Sequence, residues 1–191
     1  MAVPAKIHRQ TPTVYRDPRS YSRHEVSLFA DYCETLRRQD SDALGFIPAI
    51  AYQQAIEAGK IIFEVENDEP CGYVFGNRRK RLLRVYQCVI QKDARRILHA
   101  SRLIARVIAA DHHKGATHLA LRVATDLPAN HFWQSIGCKV ISVQPGGKSR
   151  KRMINVYRRR IGDKMEIAES LIHANVRYLR RGLDKIQSVG K

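Results

Sequence analysis

A strand–helix–strand pattern in the middle of the chain constrains the fold more than any other feature. Residues 82–90 (LLRVYQCVI) form an apolar strand, the segment from Ala94 to about His113 has the apolar spacing of a helix, and residues 117–124 form a second strand. Two strands joined through one helix run parallel, with a right-handed connection. In such a unit a ligand binds at the carboxyl end of the first strand, so we expect the functional site in the turn that follows it.

The flanking segments add strands and helices in a regular order. The additional helices are predicted at 23–38, 47–59 and 127–136, and the additional strands at 60–66, 71–76, 138–144 and 153–161. This order predicts an α/β domain with a mixed central β-sheet flanked by helices.

Three parts of the chain are predicted: a polar N-terminal arm (1–22), the α/β domain (23–161), and a basic amphipathic C-terminal helix (162–191). The apolar positions of this last helix repeat every three or four residues. They are Ile172, Val176, Leu179, Leu183 and Ile186. This stripe either packs on its own domain or pairs with a second copy, and the second alternative would give a homodimer.

The charge of the chain points to polyanions. Thirty-four Lys and Arg against eighteen Asp and Glu give a net charge of +16, and a protein this basic binds nucleic acid at least non-specifically. No stretch approaches the roughly 20 apolar residues that span a bilayer, and the N-terminus lacks the apolar core of a signal peptide. We therefore expect no membrane contact and a cytoplasmic location.

Basic clusters in two connections are the candidates for nucleic-acid contact, with DNA favoured over RNA. They are Arg78, Arg79, Lys80 and Arg81 in the first connection, and Lys148, Arg150, Lys151 and Arg152 in the second. A surface that tracks a phosphate backbone is one interpretation. Solvated loops that aid solubility are the other.

Two local motifs follow the predicted strands. The turn after residue 90 contains Arg95-Arg96-Ile97-Leu98-His99-Ala100, and DLPANHFWQSIGC (126–138) lies after the second parallel strand. Together they resemble the GNAT family of N-acyltransferases, in which Arg/Gln-x-x-Gly-x-Gly/Ala cradles the pyrophosphate of acetyl-CoA and Asn-x-x-Ala-x-x-Phe-Tyr precedes a Gly-Phe. Leu98 replaces the central glycine, Asp126 replaces the Asn, and Trp133 replaces the Tyr.

The resemblance implies an N-acyltransferase that uses acetyl-CoA or another acyl-CoA. The implied cofactor-binding residues are Val89, Ile90, Arg95, Arg96, Leu98, His99, Ala100, Asp126, Asn130 and Trp133. Backbone N–H groups at a helix start bind anions whatever the side chain, and Arg95 and Arg96 can add charge-assisted bonds. Asp126 can cap a helix that starts at Leu127. Trp133 cannot serve as an acid because its indole N–H has no useful acidity, and core packing is its simplest role.

The candidate catalytic residues lie on the strand before the turn. Tyr86 is the first candidate for the acid that protonates the leaving thiolate, or for positioning the acceptor, and Cys88 for an acyl-enzyme. Strict alternation places both on the face of Ile90. His112, His113 and His118 do not form a shared face, and no metal site is assigned. The four cysteines are far apart, so neither a zinc cluster nor a disulfide framework is expected.

The acceptor is left open by these motifs. The overall pattern also looks like the small GNAT-like proteins of phages and mobile elements, among them the Mom-like enzymes that modify the exocyclic amine of adenine in DNA. This resemblance implies the cytoplasm of a bacterium or of a phage-infected host. Two alternatives remain: acyl transfer from an aminoacyl-tRNA donor, or a non-catalytic GNAT-fold protein that binds DNA or RNA.

Overall fold

A computed structural model describes residues 21–66, 69–95, 98–147 and 152–162. The helices are α1 (Arg23–Gln39), α2 (Ala49–Glu57), α3 (His99–His112) and α4 (Ala129–Ser135). The strands are β1 (Ile61–Glu66), β2 (Glu69–Arg79), β3 (Leu82–Ile90), β4 (His118–Ala124), β5 (Lys139–Pro145) and β6 (Met153–Arg160). The predicted element order and fold class are confirmed. Within these ranges, no helix is long and apolar enough to cross a bilayer.

The strands form one six-stranded mixed sheet in the order β1-β2-β3-β4-β6-β5. Only β3 and β4 pair in parallel, as the central strand–helix–strand pattern requires. α3 and α4 cover one face over a core that includes Leu83, Leu119 and Tyr157, while α1 and α2 cover the β1–β3 half of the other face. The carboxyl end of β3 thus lies between two helical layers, whereas α3 and α4 cover β4 on one face.

α1 is fixed at its start by a capping box. The Ser22 side chain accepts a hydrogen bond from the Glu25 N–H, and the Glu25 carboxylate accepts one from the Ser22 N–H. Its buried face (Val26, Ala30, Cys33 and Leu36) has helical spacing.

Three predicted boundaries are wrong. α3 begins at His99 rather than Ala94, because Leu98 has a left-handed φ of 68° that a helix interior excludes. α4 begins at Ala129 rather than Leu127. β2 continues to Arg79, which leaves Lys80 and Arg81 as the turn. The predicted arm and C-terminal helix lie almost wholly outside the described residues.

Candidate acyl-transfer site

β3 and β4 separate soon after they begin. They pair only at Leu82/His118, Leu83/Leu119 and Arg84/Ala120, although β3 continues to Ile90. Beyond Arg84, the backbone groups of β3 that face β4 have no partner on that strand, and buried backbone groups rarely stay unpaired. We call this wedge-shaped opening the splay. It offers an open strand edge to a ligand that can hydrogen-bond as a further strand would.

A bulge in β3 lies where the splay begins. Phe75 of β2 pairs with Gln87, and the next residue pairs with Val85, so Tyr86 is an extra residue. The bulge turns Tyr86 onto the α1–α2 side of the sheet, where its ring lies 5.2 Å from that of Phe75. Cys88 packs in the core under α3. The prediction that Tyr86 shares a face with Cys88 and Ile90 is therefore wrong.

Cys88 is poorly suited to nucleophilic chemistry. Burial raises the pKa of its thiol to about 12, and only the thiolate attacks an acyl group efficiently. The raised pKa of this partly buried thiol argues against the acyl-enzyme role that the sequence suggested. Tyr86 is half exposed beside the splay and stays the candidate for the acid or for acceptor positioning.

The turn between β3 and α3 is held in place by Arg95. Its Nε–H donates to the Ile90 carbonyl at 2.9 Å, and its Nη2 contacts the Asp40 carboxylate at the end of α1. The guanidinium is thus partly engaged, and its first role in the structure is to fix the turn. The Ile90 carbonyl is occupied by this bond, while the Val89 side chain is buried on the α1 side. Arg96 lies outside the described residues.

Leu98 ends the turn in the conformation that glycine adopts most easily. Its φ of 68° is left-handed, and its side chain is 37% exposed. Leu98 provides no side-chain cap to α3, so the first N–H groups of that helix, including those of His99 and Ala100, point toward the turn where an anion can bind. The glycine position of the motif thus keeps its backbone geometry without the glycine.

A buried ion network lies under the start of α3. Glu64 of β1 is 1% exposed and accepts hydrogen bonds from Arg102 Nε at 3.0 Å and from Arg106 Nη1 at 2.8 Å. His99 is equally buried, and its Nδ1 lies 3.1 Å from Glu64 Oε1. The imidazole therefore faces away from the turn, so His99 can offer a phosphate its backbone N–H but not its side chain. One indication of this network is visible in the sequence. Glu64 occupies a position of β1 whose side chain, by the alternation of the strand, is expected to be buried.

Glu66, Cys71 and His99 bring potential metal-ligand atoms within 4.8 Å of one another. Arg102 Nη2 lies 2.6 Å from His99 Nδ1, and since a guanidinium only donates, the ring proton belongs on Nε2. Nε2 lies 3.3 Å from Glu66 Oε2. Burial, with Glu64 and Glu66 nearby, raises the pKa of the Cys71 thiol to about 11. A metal ion at this position would have to displace the proton of that thiol.

Asn130 of the second motif is the centre of a buried hydrogen-bond network, which we call the structural pin. Asn130 Nδ2 donates to the carbonyls of Ala124 and Leu127, and its Oδ1 accepts from Asn155 Nδ2 and the Tyr157 hydroxyl. These bonds tie the end of β4 to α4 and β6, so Asn130 holds the far wall of the splay rather than facing a cofactor. Trp133 is buried in the core under α4, as its simplest interpretation predicts.

Replacing Asn130 with alanine is expected to lower the free energy of unfolding by about 2–4 kcal/mol, because two carbonyls and two donors lose a buried partner. Urea denaturation checks this value. Exposed His131 in the same helix is the matched control, and His131→Ala is expected to change stability by less than about 0.5 kcal/mol. Equal stability of the two variants would contradict the pin.

Asp126 does not cap α4. The helix begins at Ala129 without a side-chain cap, and the Asp126 carboxylate instead lies 2.8 Å from Arg152 Nη2. Arg152 also donates to the carbonyl of Asp42 in the α1–α2 loop. Arg152 therefore joins the α1–α2 loop to the β4–α4 turn beside the splay. The capping role predicted from the sequence is wrong.

The two predicted nucleic-acid clusters are differently placed. The β2–β3 turn carries Arg79, Lys80 and Arg81, all exposed, whereas Arg78 lies 3.7 Å from Asp111. This cluster is at the amino end of β3, about 26 Å along the strand from the β3–α3 turn. In the second cluster, Arg152 is described, and Lys148, Arg150 and Lys151 lie outside the described residues.

Comparison with known proteins places this geometry in a familiar fold. No family model and no curated protein sequence matches the chain. Ard1 from Thermoplasma volcanium superimposes with a TM-score of 0.62 and 14% identity, over 70% of this chain and 94% of its own. A protein from Desulfovibrio desulfuricans assigned to the GNAT family gives 0.55 and 16%, over 67% and 92%.

An aminoglycoside 6'-N-acetyltransferase complexed with coenzyme A is also similar. It superimposes with a TM-score of 0.60 and 14% identity, over 75% of this chain and 96% of its own. Identities this low establish a common architecture and leave the chemistry to be argued from the residues. The chain has the fold of the GNAT acetyltransferases.

Proposed function

We propose that this protein is an N-acyltransferase that takes its acyl group from acetyl-CoA or another acyl-CoA. The observation that carries the proposal is the splay, whose open β3 edge leads directly into the turn and the start of α3. The pantetheine arm of an acyl-CoA contains amides that can hydrogen-bond to the open β3 edge. The diphosphate at the end of that arm can then bind at the start of α3. The shared fold with acetyltransferases, one of them complexed with coenzyme A, supports the same assignment.

Each part of the site would hold a different part of the cofactor. The N–H groups at the start of α3, with the positive end of its dipole, would bind the diphosphate. The β3 edge beyond Arg84 would hydrogen-bond the amides of the pantetheine arm. When bound, the cofactor supplies an acyl group activated as a thioester. The side chains and backbone groups present therefore fit this cofactor, with Leu98 exposed rather than filling the turn.

The chemical demand on the protein is modest. Positioning an amine beside the splay, together with backbone N–H donors aimed at the developing oxyanion, supplies most of the rate enhancement in such a transfer. A covalent acyl-enzyme is unnecessary, which agrees with the raised pKa of the Cys88 thiol. A group that holds a proton near the leaving sulfur completes the site, and Tyr86 is the candidate.

The acceptor we propose is an amine on a nucleic acid, with DNA favoured over RNA. The net charge of +16 supports this partner, since each phosphate contact releases counterions. The sharpest version is the exocyclic amine of adenine, as in the Mom-like enzymes. That amine lies inside a stacked duplex, so the enzyme would have to act on single-stranded DNA or flip the base.

Incubation with radiolabelled acetyl-CoA tests the reaction. Single-stranded DNA, duplex DNA, tRNA and a basic protein serve as separate acceptors, and the label on each is counted after removal of the protein under test. Label on nucleic acid would support the full proposal. Label on the basic protein alone would show that the acceptor is a protein rather than a nucleic acid. Nucleic-acid binding without any transfer would favour a non-catalytic binding protein. In a parallel incubation with labelled aminoacyl-tRNA, transfer from that donor alone would show that the acyl donor is not an acyl-CoA.

The role of Tyr86 can be separated from its packing. We expect Tyr86→Phe to keep the contact with Phe75 and to lower kcat about 10²-fold, the usual loss on removal of a general acid. Steady-state rates of Tyr86→Phe and of the wild type check the prediction. An unchanged kcat in Tyr86→Phe would remove this residue from the chemistry.

A further inference from the structure

One face of the sheet is lined by cations in register. On the side opposite α3 and α4, Arg84 of β3 pairs with Ala120 of β4, Ala120 with Arg158 of β6, and Arg158 with Lys139 of β5. Paired residues of adjacent strands lie on the same face. These paired residues form a row across the sheet. Two residues further along β4 on the same face lies Arg122, and two residues further along β6 lies Arg160. We call these five cations (Arg84, Arg122, Lys139, Arg158 and Arg160) the basic face.

No carboxylate balances this charge within the four strands that carry it. The sequences of β3, β4, β5 and β6 contain neither Asp nor Glu. All five side chains are exposed, and among the described residues none of the five forms an ion pair. Arg122 has a weak hydrogen bond to Gln144 at 3.4 Å. The other half of the sheet differs, since β1 and β2 contain Glu64, Glu66 and Glu69.

The pair formed by Lys139 and Arg158 is unfavourable by itself. Like charges directly opposite each other on neighbouring strands destabilise a sheet. Arg84, three strands from Lys139, adds a third cation to the same row. A row of this kind is compatible with a stable fold when an external polyanion relieves the repulsion. The charge pattern therefore favours a partner with closely spaced negative charges.

The position of the basic face connects it to the splay. β3 and β4 separate immediately after the Arg84/Ala120 pair, so the row lies at the closed end of the wedge. Tyr86, displaced by the bulge, exposes its ring on this same side of the sheet. Cations along a groove with an aromatic ring at one end are the components of a single-stranded nucleic-acid site.

We propose that the basic face binds the phosphate backbone of single-stranded nucleic acid and leads one base to the splay. This rests on the proposed function for the nature of the acceptor and adds the surface that holds it. The face spans about 14 Å across the strands and about 13 Å along them, from strand spacing and rise. That area suits a few successive phosphates, while Tyr86 stacks on an unpaired base that a duplex would keep inside.

Binding of a fluorescein-labelled 20-nucleotide DNA strand, measured by anisotropy between 50 and 300 mM salt, tests the proposal on the full chain. For five phosphate contacts, we expect log K to fall with log[salt] with a slope of about −3.5. Arg122→Ala with Arg158→Ala should reduce the slope by about 1.4 and weaken binding at 0.1 M salt about 25-fold. Arg23→Ala with Lys60→Ala, two exposed cations on α1 and before β1, removes the same charge elsewhere and should change neither.

Thermal unfolding of the same variants shows whether each of them is folded. Because Arg158→Ala removes a like-charge pair, its Tm should equal or exceed that of the wild type, so weaker binding cannot be ascribed to instability. Equal binding by the double variant and the wild type would overturn the proposal, and so would equal losses in the Arg23/Lys60 control. A matched 20-base-pair duplex that binds more tightly than the single strand would overturn it as well.

Acetyl-CoA titration of these variants separates this proposal from the proposed function. The basic-face double variant should bind acetyl-CoA as the wild type does, because none of its substitutions touches the β3–α3 turn. Loss of DNA binding with intact acetyl-CoA binding would support the surface. If the wild type bound DNA through the basic face but did not bind acetyl-CoA, the proposed acyltransferase function would be wrong. The proposal that the basic face binds nucleic acid would then still hold.

Discussion

Leu98→Asp is expected to weaken acetyl-CoA binding about 30- to 100-fold while leaving the fold intact. Asp tolerates the left-handed conformation better than Leu, so the substitution should not destabilise the turn. Its carboxylate would lie where the diphosphate meets the start of α3. Repulsion between two anions in a partly desolvated site is worth roughly 2–3 kcal/mol. Isothermal titration calorimetry measures the affinity, and urea denaturation measures the stability.

Leu98→Asn is the isosteric control. It has nearly the same shape and backbone tolerance as Asp but no charge, so it should bind acetyl-CoA at least as well as the wild type. Leu98→Gly should bind at least as tightly as the wild type, since it removes the side chain beside the diphosphate, while relief of the left-handed strain of about 1 kcal/mol acts on stability rather than on affinity. If Asp and Asn behaved alike, no phosphate would bind at this turn.

Glu64→Gln is expected to lower the free energy of unfolding by about 2–3 kcal/mol. The substitution removes the charge shared by Arg102 and Arg106. The free-energy loss is larger where every partner is buried, but Arg102 and Arg106 are half exposed and water can solvate them. The remaining cost comes from the new buried amide, whose nitrogen cannot accept a hydrogen bond from a guanidinium. Chemical denaturation of the variant and the wild type gives the difference.

Glu66→Gln provides the comparison for Glu64. Its carboxylate also lies near the His99 ring but is 43% exposed, and exposed pairs contribute less than about 1 kcal/mol. We expect the loss of stability in Glu66→Gln to be small, and acetyl-CoA binding to be weaker in Glu64→Gln, because the start of α3 is anchored by the Glu64 network. Equal losses in the two variants would show that burial of Glu64 does not matter.

The sequence alone predicted most of the framework. Alternation in β1 and β3 and the apolar spacing of α1 and α3 follow directly from which face is buried, and the strand–helix–strand unit then defines the position of the site. These are local regularities that repeat over several residues. A single irregular residue escapes them, as the β3 bulge at Tyr86 and the left-handed Leu98 demonstrate.

The details of the site depended on partners distant in sequence. Arg152 binds the Asp42 carbonyl across 110 residues, and Glu64 meets Arg102 and Arg106 only because β1 lies beneath α3. The capping role given to Asp126 was wrong for the same reason. Capping was inferred from neighbours in the chain, whereas Arg152 decides where the Asp126 carboxylate lies.

Calorimetric titration of the wild-type protein, purified free of nucleic acid, with acetyl-CoA is the most direct test of the acyl-transfer assignment. The open β3 edge and the free start of α3 predict one binding site per chain with micromolar affinity, competed by CoA. Absence of heat and of competition up to millimolar acetyl-CoA would contradict the assignment and leave a GNAT-fold protein that does not use this cofactor.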